Sequence, residues 1–147
     1  MYDTYGALAS FKNQFEKYNE IILIFPELSN HPVEIIEGIQ LFCKQHKFKL
    51  KIRADSLHLK LLKKQCYIVI EDDDLTALIK QTRADKFVIG NDIGILSFNE
   101  TQLKELLDIS VISTDFELMG QTAADLILGS QYIHVKNPFN VIKRNSL

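Results

Sequence analysis

Two stretches of this chain, IILIF (21–25) and CYIVI (66–70), are apolar without interruption, and a third, DIGILSF (92–98), is nearly so. A strand with one wet face alternates polar and apolar residues. One that does not alternate must be covered on both faces, ordinarily by helices above and below a parallel sheet. Helix-spaced segments lie between these runs. In NHPVEIIEGIQLFCKQHK, Ile35, Ile39, Leu41 and Phe42 form a broad apolar face, with Asn30 as the expected cap. DDLTALIKQTRA and DFELMGQTAADLILG follow the later strands, with the short strand VIST before the second of them. Leu8, Phe11, Phe15 and Tyr18 predict an amphipathic helix at the start. KFKLKIRA alternates strictly, with Phe48, Leu50 and Ile52 to one side and Lys49, Lys51 and Arg53 to the other. The tail NPFNVIKRNSL has an extended pattern. The expected fold class is therefore α/β: a Rossmann-like, mostly parallel sheet with helices on both faces.

At 147 residues the chain is sized for one domain. Its net charge of −2 argues against direct contact with nucleic acid. No apolar stretch is long enough to span a bilayer, and the start lacks the grammar of a signal peptide, so the expected location is the cytoplasm, away from membranes. Cys43 and Cys66 sit in apolar contexts and read as buried, reduced thiols. His31, His46, His58 and His134 share no metal-ligand spacing, IGNDIG lacks the spacing of a dinucleotide loop, and no cofactor is expected. The basic run from Lys44 to Lys64 alternates like a solvated face rather than a phosphate stripe.

In a parallel sheet, ligands bind beyond the carboxyl ends of the strands. The loops to watch are 26–31, which contains Ser29, together with 71–74 and 99–101. The second holds four consecutive acids, Glu71 to Asp74. Carboxylates at a helix start cap free N–H groups and suit the positive end of the dipole, which accounts for Asp73 and Asp74. Glu71 still belongs to the strand end. A Mg²⁺ site would need acids from separate strand ends, such as Glu71 and Asp72 with Glu27 and Glu100. That is the rival reading: a small Rossmann-like or receiver-type Mg-dependent enzyme or phosphoacceptor. A receiver, however, keeps an acid pair after its first strand and a lysine after a late one, and VISTDF offers no such lysine.

DIGILSFNET, VISTDF and MGQTAADLIL, in this order and followed by NPFNVIKRNSL, resemble the late part of the type I periplasmic-binding-protein-like sensor of LacI-type repressors. VIEDDDLTALI resembles that family's strand followed by N-D-x-x-A. The combined wording is most similar to sensor domains attached to winged-helix DNA-binding domains of the GntR type. The resemblance covers nearly all of the chain but about half of a two-lobed sensor. It implies a single effector-binding and dimerising lobe over 1–147, with the DNA-binding domain and most of the other lobe outside the chain.

The implied role is a ligand-sensing module of a bacterial transcriptional regulator, with no catalytic residue and no metal. Its partners would be a small effector, a sugar or polyol, a second copy of the chain, and operator DNA only through a separate domain. The resemblance places Glu71, Asp72, Asn99, Glu100 and Ser29 at the ligand cleft. Many relatives place an arginine near the position of Ile35 as a clamp on the sugar, whereas here no Arg or Lys stands between Ile21 and Gln40; that lost cation and the added carboxylate at Glu71 both disfavour an anionic ligand. Leu75, Leu78 and Ile79, with Leu103 and Leu106 of TQLKELLDI, fall where the family makes its dimer contacts. Phe116, Met119, Ala123, Leu126 and Ile127 form a helical stripe that would ordinarily pack in the other lobe. This stripe is expected to dock on a second copy rather than fold back on its own sheet.

Overall fold

The uninterrupted apolar runs form the middle of the sheet. The computed structural model describes residues 2–28, 30–57, 59–129 and 139–147. β1 (Glu20–Ile24), β3 (Gln65–Val69) and β4 (Ile93–Phe98) lie side by side and are almost wholly buried. β2 (Leu50–Arg53) adds to the outer side of β1, and β5 (Ser110–Thr114) and β6 (Phe139–Ile142) extend the other side. The order is β2-β1-β3-β4-β5-β6. The first five strands run parallel and β6 pairs antiparallel with β5, so the sheet is mostly parallel, as its sequence requires.

Helices cover both faces. On one, α1 (Tyr2–Ala9) and α3 (Glu34–His46) bury Leu8, Ile35, Ile39 and Phe42 against Ile21, Leu23, Ile68 and Leu96. On the other, α4 (Asp72–Ala84) buries Leu75, Leu78 and Ile79 against Ile22, Tyr67, Val69 and Ile95. The connection from β2 to β3 crosses this second face without a helix. It is pinned to α4 instead: the Gln81 amide donates to Leu59 O, and Ser56 N donates to Asp74 Oδ1 at 2.8 Å.

Three local details differ from the sequence expectation. The opening helix is two: after α1 the chain tightens through Ser10 N to Ala7 O and Phe11 N to Leu8 O, and α2 (Lys12–Phe15) restarts it. Leu8, Phe11, Phe15 and Tyr18 are nonetheless all buried. Asn30 does not cap α3, which begins after Val33 with no side-chain cap. Ile52, at the far end of the edge strand β2, stays 43% exposed, while Phe48 and Leu50 pack against the core.

β5 pairs with β4 only from Leu96 onward, and the last residues of the chain fill the ladder below it. Ile95 N donates to Ser146 O at 2.7 Å, Ser146 Oγ donates to Ile95 O at 2.6 Å, and Ser110 N donates to Ser146 Oγ at 2.7 Å. Leu147 then joins the core.

α6 (Phe116–Leu128) behaves differently from every other long helix: among the described residues it has no buried side chain. Among the described residues, its apolar stripe is not part of the core on either face of the sheet.

Candidate functional site

From β1 the chain leaves through α3 on one face, and from β3 it leaves through α4 on the other. Connections that diverge in this way open a crevice beyond the carboxyl ends of the two strands. A cavity of about 440 Å³, lined by Pro26, Leu28, Glu71, Asp72, Asp73 and Asp74, lies there. That volume is within the usual range for small-molecule pockets. Glu71, Asp72 and Asn99 follow the carboxyl ends of the neighbouring strands β3 and β4, at one end of the sheet.

The four acids have four different situations. Glu71 stands at the cap position of α4, but its side chain makes no cap bond; its Oε1 lies 3.6 Å from His31 Nε2, on the loop that follows β1. Asp72 Oδ1 accepts from Lys104 Nζ at 2.7 Å. Asp73 is exposed on the first turn of the helix. Asp74 does not cap, contrary to the sequence expectation; it accepts from Ser56 N and staples the β2–β3 connection. All four still gain from the positive end of the helix dipole.

On β4, Asn99 adopts a left-handed backbone with φ of 58°. Its N–H donates to Ile112 O at 2.8 Å and its carbonyl accepts from Lys104 at 2.7 Å. Its side-chain amide makes no hydrogen bond among the described residues, which leaves it available to a hydroxyl. Glu100, the next residue, is engaged on the other side of the turn. Both of its carboxylate oxygens are taken by Arg144 at 2.9 Å, and that guanidinium also donates to Ile109 O. The hydrogen bonds it donates to Glu100 hold the Arg144 pKa above its ordinary value. Ser29 lies outside the described residues.

Sequence reasoning missed Lys104, His31 and Asp115. Asp115, beyond β5, accepts from Leu118 N at 2.9 Å and from the Asn140 side chain at 3.1 Å. Those bonds, the backbone one foremost, hold its carboxyl below the usual aspartate range. The rival metal reading gains no geometry from this arrangement. Among the described residues no three His, Cys, Asp or Glu side chains converge as a metal site, and Asp72 leans toward a cation.

The expected contact stripe on α4 also needs correction. Leu75, Leu78 and Ile79 are 2%, 1% and 6% exposed because they pack on the chain's own sheet. Leu75 and Ile79 only floor a shallow groove between α4 and α5 (Gln102–Leu106), whose rim carries Leu103. Leu103 and Leu106 are 52% and 81% exposed, so they can meet a partner.

No family model matches the sequence, and no curated protein matches it. Solved structures do match it in fold. A LacI transcriptional regulator from a Rhodococcus species aligns over 98% of this chain and 62% of its own, with a TM-score of 0.78 at 13% identity. A transcription regulator like protein from Staphylococcus haemolyticus aligns over 99% and 59%, with a TM-score of 0.75 at 16% identity. A periplasmic binding protein/LacI transcriptional regulator from Alkaliphilus metalliredigens QYMF, in complex with D-xylulofuranose, aligns over 98% and 63%, with a TM-score of 0.73 at 14% identity. The chain thus has the α/β fold of one lobe of a type I periplasmic-binding-protein-like domain. It spans roughly three fifths of the length of the structures it matches.

Proposed function

We propose that this chain is the carboxyl-terminal sensing lobe of a LacI-like transcriptional regulator, taking a neutral polyhydroxylated effector at the crevice beyond β1 and β3. The observation that carries the reading is the coincidence of two features. The fold is shared along nearly the whole chain with regulators of this kind, and its switch-point crevice is rimmed by hydroxyl-reading groups. Glu71 accepts and stands 3.6 Å from His31, and the Asn99 amide, at the neighbouring strand end, both donates and accepts.

Among the described residues that line the crevice there is no Arg or Lys, so a sugar phosphate is a poor fit. No catalytic role is assigned to these groups. The mechanism is a population shift: ligand bound between this lobe and its counterpart stabilises one arrangement of two protomers over another. DNA is met through a separate domain, in keeping with the net charge of −2. A cytoplasmic location follows from that role, and among the described residues no helix is long and apolar enough to cross a membrane. The narrower attachment to a GntR-type winged-helix domain rests on sequence resemblance alone and draws no support from the fold.

Self-association belongs to the same reading. Leu103, Leu106 and the outer stripe of α6, with Phe116 53% and Ile127 78% exposed, offer apolar surface that a second copy would cover. Sedimentation velocity should show a concentration-dependent dimer weakened by Phe116→Asp, and a strict monomer at high concentration would remove this part of the proposal.

A thermal-shift screen against neutral monosaccharides, disaccharides, polyols and sugar phosphates tests the sensing claim. Neutral sugars should raise the melting temperature. Asn99→Ala should weaken the response by about 1–3 kcal/mol, roughly five- to 150-fold in Kd, read against the free variant's own melting temperature, which alanine at this left-handed position should lower. A response confined to sugar phosphates, or none to any compound, would count against the assignment.

A further inference from the structure

Lys104 sits on α5 with a side chain that is 2% exposed. An ammonium so far from water needs partners for its three N–H donors. It has three: Phe98 O at 2.6 Å, Asn99 O at 2.7 Å and Asp72 Oδ1 at 2.7 Å. The two carbonyls are successive and lie where β4 ends and the chain turns left-handed at Asn99. The carboxylate belongs to the first residue of α4, on the neighbouring connection. One cation therefore ties together the two rim segments that the proposed site depends on.

We infer that Lys104 is the positioning residue of the crevice, tying the left-handed turn at Asn99 and the Asp72 carboxylate to one ammonium. On the opposite side the same turn is held by Asn99 N to Ile112 O and Glu100 N to Ser113 Oγ, so the turn is fixed from both flanks. The consequence is selective. With one Asp72 oxygen engaged, the ligand meets beside Glu71 a carboxylate already paired with a cation, and the Asn99 amide at the adjacent strand end is held in place by the same lysine. A cation fixed in this way also limits the repulsion among the four adjacent acids. The inference rests on the sensing reading for the purpose of the rim, but the contacts themselves can be tested without a ligand.

The backbone at Asn99 gives the readout. A residue with positive φ has a very short distance between its amide and α protons, hence a strong intraresidue NOE. Lys47, Lys64, Lys86 and Asp108 share positive φ and serve as internal controls. In Lys104→Met the Asn99 NOE should fall to the level of ordinary residues while the four controls keep theirs, and the Asp72 carboxyl carbon should shift. Unchanged intensity at Asn99 in a folded Lys104→Met protein would overturn the inference, whatever the sugar screen shows. Should that variant fail to fold, the wild-type ammonium decides. Three hydrogen bonds and burial should make its ¹⁵Nζ–¹H correlation visible at neutral pH, and Asp72→Asn should leave it visible with Asn99 still left-handed. An ammonium exchanging as fast as those of the exposed lysines would overturn the assignment equally.

Discussion

Gly90→Ala should lower the stability of the chain by about 2–5 kcal/mol, read as a fall in the urea midpoint at unchanged slope. Gly90 lies in the turn before β4 with φ of +85°, a conformation that L side chains rarely adopt. A Cβ there would stand 1.9 Å from the Asn145 carbonyl oxygen. Asn145 cannot retreat cheaply. Its side chain donates to Asp108 at 2.6 Å, and its neighbour Ser146 completes the lower ladder of β4. The added methyl thus carries both a backbone penalty and a displacement of the closing segment. Gly120→Ala is the control: nothing lies within 4 Å of a Cβ at that helical position. There the substitution should be neutral, or should stabilise by roughly 0.5–1 kcal/mol. Equal effects at the two glycines would show that the tail does not pack on the turn.

Lys104→Met should lower stability by roughly 2–4 kcal/mol, an expectation set by the acceptors left behind. Phe98 is buried, so its carbonyl loses a partner where water has little access, and Asn99 O loses its bond as well. Asp72 limits the damage because its side chain is 57% exposed and its carboxylate can hydrate again. The cost should therefore fall short of what an ion pair buried on both sides would show. Asp72→Asn keeps both carbonyl bonds and should cost about 1 kcal/mol or less by chemical denaturation. If the aspartate variant proved the more damaging of the two, the ion pair rather than the carbonyl bonds would be the main support of the turn.

The parts of this molecule that were legible in its sequence are those set by periodicity. Uninterrupted apolar runs placed β1, β3 and β4 in the centre, and the spacing of Ile35, Ile39 and Phe42 placed the inner face of α3. Helical spacing also identified Leu75, Leu78 and Ile79 as one stripe, but a stripe looks the same whether it faces its own sheet or another chain. The sheet took it. Side-chain partnerships were not legible at all. Asp72 meets a lysine 32 positions later, in a segment too short to read as a helix, and Glu100 meets Arg144 across 44 positions. Composition showed four acids in a row, whereas only the fold assigns one to a histidine, one to a lysine and one to a backbone N–H. α6 was recognisable as an amphipathic helix because its pattern is local, whereas its having no buried side chain among the described residues is a tertiary fact.

The account turns on where a ligand binds, and a ¹H–¹⁵N titration with a neutral sugar that responds in the thermal screen measures that directly. At about 10 mM ligand, affinities as weak as ~1 mM, or roughly −4 kcal/mol, are detectable. The prediction is that shifts concentrate on the Asn99 side-chain amide and on the backbone amides of His31, Glu71 and Asp72, with little change at Lys63, Gly90 or Asp92 beyond the other end of the strands. Shifts centred on that opposite end, or on the groove between α4 and α5 with Asn99 unmoved, would contradict the assignment of this crevice as the effector site.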